Sequence, residues 1–361
     1  MPETKFEPSS VTSAAATSLR IIAVATVFAC LYVASSLVIS LICGVFIAII
    51  LEPGVKLMER MRVPRWVGSL VMVMATLAVM YLVIYLIYDR AAAFMADLPK
   101  YTERLKQIIS HVQLTYRSIR LSASSLMPPP TEIGPQPQAV QLQQEEPWLQ
   151  FLWHGLGSAY GFIMAVAFIP ILVFFMLTSK HQIWAATMNL FPMERRNVVD
   201  GAIGGITLMA RQYMVGNILI ALISAGIICP VFWLIDLPYA LLLGSLAAFL
   251  SMVPYLGIAL GIMPPLLVAL VHPEYNQVFP FIVIAVTVAV VHFAAMNVLT
   301  PKLVGKRVNL NALTVTISLM FWGWLWGGIG LVLAIPITAA VKAICDNSIS
   351  LRPYGAWMGD D

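Results

Sequence analysis

Apolar positions along this 361-residue chain fall into long runs separated by short polar stretches. Ile21–Leu51 would be about 46 Å long as one helix, against a hydrocarbon core of about 30 Å. The expectation is two short helices meeting near Ala34-Ser35-Ser36, crossing twice, with Glu52-Pro53-Gly54 ending the run. Trp66–Tyr88 is an ordinary span, with aromatic residues towards its ends. Gly155–Leu177, Gly216–Ile235 and Phe279–Leu299 are further spans. Met193–Tyr213 gathers Val199, Ile203, Ile206 and Tyr213 on one side, the pattern of a helix lying along the membrane surface. The one sizeable polar region is Asp89–Trp153. Its first half, to about Leu121, has helical periodicity. Its second half, Met127–Pro147, is Pro/Gln-rich and reads as extended or disordered. Residues 1–19 read as a disordered tail.

Two runs are too long for a single crossing. Tyr239–Val271 is interrupted by Pro254, Gly257, Gly261, Pro264 and Pro265. Asn311–Lys342 is interrupted at Gly323, Gly327, Gly328 and Gly330, with Pro336 following. Proline removes a donor and clashes with the preceding turn, so neither run predicts a straight helix. Paired, interrupted segments are a transporter pattern.

Charge selects among topologies. The loop with Lys56, Arg60, Arg62 and Arg65 belongs in the cytoplasm by the positive-inside rule. If Tyr239–Val271 crossed once, Lys302, Lys306 and Arg307 would fall outside. Read as a re-entrant hairpin from outside, it lets the Phe279–Leu299 span carry them inward. A second hairpin over Asn311–Lys342, entering from inside, keeps Lys342 and Arg352 cytoplasmic. Irregular backbone at membrane depth is tolerated beside protein or water, so opposed hairpins imply a solute path between them.

Composition agrees: 60% hydrophobic and 11% charged residues exclude an ordinary soluble domain. The net charge of +4 implies no nucleic-acid partner. Four cysteines lie in or beside apolar runs without metal spacing, so no metal or cofactor is expected. P-loop, HExxH and GxSxG motifs are absent, which argues against direct ATP coupling and against an enzyme.

Three stretches, MVPYLGIALGIMPPLLVAL, NVLTPKLVGKRVNLNALTV and SLMFWGWLWGGIGLVLAIPITAAVK, resemble the autoinducer-2 exporter family of PerM-like membrane proteins. The likeness covers most of the chain. The resemblance implies a multi-pass inner-membrane protein that exports the quorum signal autoinducer-2 or exchanges sodium or lithium for protons. Pro254, Tyr255 and Gly257 match the family's first broken segment, Asn297, Pro301 and Gly305 its second motif, and Trp322, Trp324, Gly327, Gly330 and Pro336 its third.

Each candidate on the solute path also has a structural role. Gly257, Gly261, Gly327, Gly330, Pro254, Pro301 and Pro336 either unwind backbone for solute or let helices approach. Trp322 lines a path or packs an interface. Asn217 and Asn297 bind solute or join helices. His292, the only ionisable residue well inside a predicted span, carries protons or is satisfied within the bundle. No acidic residue lies deep in a span. Related sequences often carry an acid at the positions of Ala295 or Thr300, which argues against Na+/H+ antiport here.

The resulting expectation is an all-α polytopic membrane protein with about five to six spans, two broken segments and a mostly helical extracytoplasmic region. Its parts are a membrane frame at 20–88, the extracytoplasmic region at 89–153, a span and interfacial helix at 154–214, a transport module at 215–345 and a tail at 346–361. The predicted function is secondary transport or export of a small polar solute such as autoinducer-2, by alternating access through the two hairpins. The predicted setting is the bacterial inner membrane, with both termini cytoplasmic, as a homo-oligomer in the lipid bilayer. The alternatives are a Na+(Li+)/H+ antiporter coupled to H+ or Na+, or a non-transporting scaffold or signalling protein.

Overall fold

The computed structural model describes residues 9–124, 159–272, 278–304, 310–348 and 350–359. The Pro/Gln-rich stretch Met127–Pro147, Gly305 and the Lys306–Arg307 pair lie outside them. The regular elements are helices throughout: α1 Ser9–Val33, α2 Ser35–Arg60, α3 Arg65–Ser124, α4 Ala159–Thr178, α5 Lys180–Asn189, α6 Met193–Leu234, α7 Ala240–Leu250, α8 Gly257–Val271, α9 Phe279–Ala294, a π-turn Ala295–Leu299, α10 Thr300–Leu303, α11 Ala312–Asp346 and α12 Arg352–Met358. Among the described residues, five helices have the length and apolarity to cross a membrane, or six if the pair bent by 71° at α4–α5 forms one span. The chain is an all-α polytopic membrane protein.

The first break falls where expected, at Ala34, whose φ of −91° and ψ of 20° leave the helical region. Several boundaries differ. The tail is helical from Ser9, because an Ala-rich stretch favours helix. Glu52-Pro53-Gly54 does not end the run: α2 absorbs Pro53 and continues to Arg60, which puts Glu52 inside the helix. The span and the polar helix expected to part at Asp89 are one 60-residue helix, α3, about 90 Å long. Asp89 changes polarity without adding a Gly or Pro break, so the backbone continues. The interfacial helix and the span expected around Met193–Ile235 are likewise continuous as α6. The C-terminal tail contains α12, docked on the start of α11, where Asn311 Nδ2 donates to the Trp357 and Gly359 carbonyls at 2.7 and 3.2 Å.

The described residues divide into two compact units. One draws on Met1–Met74, Leu152–Met214 and Arg307–Asp361, the other on Ala75–Phe151 and Val215–Lys306. Residues 215–345 therefore contribute to both. The first unit packs Phe46 of α2, Ala210 of α6 and Leu333 of α11 together. The second has a larger core in which Ile228 and Phe232 of α6, Leu243 and Ala247 of α7, Val268 and Ala269 of α8, and Ile284 and Val288 of α9 meet. Lipid gives little hydrophobic drive between helices, so close contact relies on small residues. Gly244 is an example: a Cβ there would lie 3.0 Å from the Cys229 Cα on α6.

Each unit contains one helical hairpin. In the second unit, Ala247 and Gly261 are 14 residues apart and would be about 21 Å apart on one straight helix. A Cβ on Gly261 would instead lie 3.0 Å from the Ala247 carbonyl oxygen. Both hairpin ends meet the polar half of α3: Tyr239 donates to Asp97, and Arg104 Nη1 donates to the Val271 carbonyl at 2.9 Å. The chain enters and leaves α7–α8 on the same side.

The first unit's hairpin lies within α11. Its length and composition suit a single crossing, but its contacts show a reversal. Trp322 Nε1 donates to Thr338 Oγ1 at 3.2 Å, although 16 residues of straight helix would separate them by about 24 Å. The reversal is at Gly327, with φ 62° and ψ −140°. Of the four glycines expected to break this run, Gly327 makes the turn. Gly323 and Gly330 face the opposite arm, with Leu331 and Trp322 as their respective neighbours.

Candidate functional site

The second unit's hairpin turns through residues 251–256. Leu256 N donates to the Pro254 carbonyl at 2.7 Å across Tyr255, whose φ is 63°. This is a γ-turn with positive φ, a rare and strained arrangement for a residue with a side chain. Such strain of about 1–3 kcal/mol persists where surrounding structure holds it, often at functional sites. Tyr255 itself is exposed, so its ring does not fill the turn.

Behind the turn, Gly257 brings two polar residues together. A Cβ at Gly257 would lie 2.5 Å from the Ser251 carbonyl oxygen and 2.9 Å from His292 Cε1. Only glycine allows that approach. His292 and Ser251 are both buried, and the His292 ring bonds to the Ser251 backbone. His292 Nδ1 and Ser251 Oγ are buried without hydrogen-bond partners. An unsatisfied buried polar group costs about 1–3 kcal/mol, so two neighbouring ones form a polar point in an apolar core that a solute hydroxyl, water or proton would satisfy. Gly261 completes the wall, 2.6 Å from Ser251 Oγ at its Cβ position. Ser251 stands three positions before the Pro254 turn, and its distance from His292 along the chain gave no sign that the two would meet.

The other second-unit candidates occupy two places. Pro301 has no N–H and crowds the carbonyl four residues back, which accounts for the π-turn Ala295–Leu299 just before it. Asn297 lies in that turn, exposed, and its amide donates to its own helix at the Phe293 carbonyl, 2.8 Å away. Asn217 is half-buried beside Gly216, where α6 approaches α10 so closely that a Cβ would meet Val304 at 2.7 Å.

In the first unit, Trp322 packs at a 40° tilt against Trp326 with centroids 4.7 Å apart and bonds Thr338 across the hairpin. Gly330 allows the tightest contact: a Cβ there would lie 1.8 Å from the Trp322 carbonyl oxygen. Pro336 is fully buried on the returning arm. Trp324 instead points outward, 75% exposed, and stacks on Tyr32. The structure thus brings Gly257, Gly261 and His292 together in one unit and Trp322 with Gly330 in the other.

Each unit also holds a charged cluster. Arg65 donates to Glu52 at 3.0 Å, to Glu59 at 3.0 Å and to the Leu177 carbonyl at 2.7 Å, while Lys180 bonds the other Glu52 oxygen at 2.9 Å. Glu52 is 4% exposed. A carboxylate buried within α2 corrects the expectation that acids lie only at run ends. Such a charge is tolerable only when paired. The second cluster lies beyond the Tyr88 end of the α3 span. There hydrogen bonds from Lys100 and then Tyr239 hold the Asp97 carboxyl below the usual carboxylate range.

Similar proteins are transporters by name. A putative transport protein of Haemophilus influenzae is 27% identical over 95% of this chain and 96% of its own length. The AI-2 transport protein TqsA of Escherichia coli is 26% identical over 91% of this chain and 90% of its own. The putative permease PerM of Escherichia coli is 24% identical over 88% of this chain and 89% of its own. The family model described as AI-2E family transporter matches residues 21–350, and the chain belongs to that family.

Proposed function

We propose that this protein is a secondary exporter of a small polar solute resembling autoinducer-2, working by alternating access in which the two hairpins open in turn. The observation that carries this reading is the pair of hairpins whose arms close only because Gly257, Gly261 and Gly330 lack a Cβ. The buried, unpartnered Ser251 Oγ and His292 Nδ1 supply hydrogen-bonding capacity suited to a hydroxylated solute. The name of TqsA supports autoinducer-2 as the first solute to test. The reading sets the protein in an inner membrane with both termini cytoplasmic, so that the basic loop around Arg65 faces inward. It also includes a homo-oligomer: the apolar part of α3 is almost wholly unburied while nearly half of that of α11 is buried, which suits a frame surface facing lipid or another copy.

A second reading, Na+(Li+)/H+ antiport, draws on Glu52, a buried carboxylate that exchange mechanisms use. Against it, Arg65 and Lys180 already occupy both Glu52 oxygens. Purified protein in liposomes with an imposed pH gradient tests both. Flux of an autoinducer-2-like polyol without Na+-dependent proton movement supports the first reading. Na+-driven proton flux without polyol flux replaces it with the second. No flux of either kind leaves the scaffold reading.

A further inference from the structure

A cavity of about 330 Å³ opens in the first unit. It is lined by Glu52, Lys56, Lys180, His181, Trp184 and Arg211, with α6 presenting Gly204 and Thr207. Its volume lies at the lower end of the range for small-molecule sites.

The charges in this cavity do not cancel. Glu52 is its acidic wall residue, and both its oxygens are taken, by Arg65 at 3.0 and 3.2 Å and by Lys180 at 2.9 Å. The other nearby acids are also engaged, Glu59 by Arg65 and Asp200 by the Trp184 indole N–H at 2.9 Å. His181 Nε2 lies 3.1 Å from Arg65 Nη1, and since a guanidinium nitrogen can only donate, the ring nitrogen accepts there. Lys56 and Arg211 form none of the ion pairs found among the described residues. The Arg211 Nε is buried with no hydrogen-bond partner. An arginine N–H in that state is short of an acceptor, and a guanidinium is matched best by a carboxylate or phosphate.

Space agrees with charge. Nothing lies within 4 Å of where a Cβ on Gly204 would project. The Trp184 ring and the aliphatic stems of the lysines add apolar surface beside the cationic groups. A site with two cations outside any ion pair and an apolar wall suits a phosphate monoester or diester carrying a small organic group.

We propose that this cavity binds a phosphate ester through Lys56 and Arg211, with Lys180 as the third cation. The ester is either the headgroup of an anionic phospholipid or a free small phosphorylated molecule. The proposal is independent of which solute the hairpins carry, because its readout is binding.

Full-length protein in detergent is titrated with glycerol 3-phosphate, and separately with phosphatidylglycerol or phosphatidylcholine in mixed micelles. Binding is followed by the thermal unfolding midpoint and by native mass spectrometry. A midpoint raised by glycerol 3-phosphate or by phosphatidylglycerol, but not by phosphatidylcholine, supports the proposal. A response to the soluble ester identifies a free ligand, and a response to the lipid alone identifies a headgroup. K56Q and R211Q are each expected to weaken binding roughly fivefold. G204L, which fills open space without changing charge, is expected to abolish it. Without ligand, R211Q should unfold at or above the wild-type midpoint, since its Nε has no partner to lose. Equal binding by wild type and all three variants, no response to either anionic ester, or a lowered midpoint for unliganded R211Q overturns the site.

Discussion

The hairpin of α7 and α8 reverses over six residues, 251–256, and strains a tyrosine into positive φ at its tip. The hairpin of α11 reverses at Gly327 within what is otherwise continuous helix. The two also differ in their lining. The first turn rests on Ser251 and His292, with polar atoms left without partners. The second rests on Trp322 and Trp326, with the Trp322 N–H satisfied by Thr338. The first arrangement is polar and strained; the second is aromatic, satisfied and closely packed. The shared device is a glycine on one arm pressed against a carbonyl of the other.

The harshest test of that shared device is Gly330→Ala. A Cβ 1.8 Å from a backbone oxygen cannot be relieved by a rotamer change, so the arms must separate. The expected loss is about 3 kcal/mol or more, with transport abolished, read by thermal unfolding and liposome flux. Wild-type behaviour in both would end the packed-hairpin account. Gly257→Ala should cost less, about 2 kcal/mol. Its contacts are an oxygen at 2.5 Å and a His292 ring that can tilt. Flux should fall more than stability if the polar point is functional; equal losses would make it merely structural.

A mirrored pair comes next. Gly327→Ala meets no neighbouring atom but places a side chain at φ 62°, for an expected cost of about 1–3 kcal/mol. Tyr255→Gly relieves similar backbone strain, offset by glycine's extra freedom in the unfolded chain, so stability should stay within about 1 kcal/mol of wild type. If Tyr255→Gly destabilised as much as Gly327→Ala, the contrast between a strained and a relaxed turn would be wrong.

The smallest expected effect concerns pH at the mouth of the first hairpin. Asp97 is held below its unfolded value by Lys100 and Tyr239. Its contribution is therefore complete above about pH 3.9 and fades as pH falls through the lower, folded value. Hydrogen exchange in α3 near Asp97 should rise over that acidic window in wild type. Asp97→Asn should show no such step; an identical step in the variant would assign it to another group.

Much of the hairpin pair was legible in the sequence. A run of apolar residues longer than the membrane is thick must bend or tilt, and proline and glycine mark where bending is cheap. Hence Pro254, Gly257 and Gly327 stood out. Helix continuity was harder to read. Asp89 and the change from amphipathic to apolar pattern between Tyr213 and Gly216 suggested boundaries, yet α3 and α6 run through, because polarity alone does not interrupt backbone hydrogen bonds. The burial of Ser251 and Glu52 was unreadable for a related reason: it depends on which distant segments pack over each.

Length, hydropathy and the placement of Gly and Pro determined by themselves that this chain spans a membrane as helices and carries two interrupted segments, since these are local consequences of the bilayer's thickness and the backbone's allowed angles. Tertiary structure alone decided which glycine turns and which packs, that His292 meets Ser251 from 41 positions further along the chain, and that Glu52 is buried between Arg65 and Lys180. Those outcomes depend on the approach of distant segments, and residue spacing along a chain carries no direct record of it.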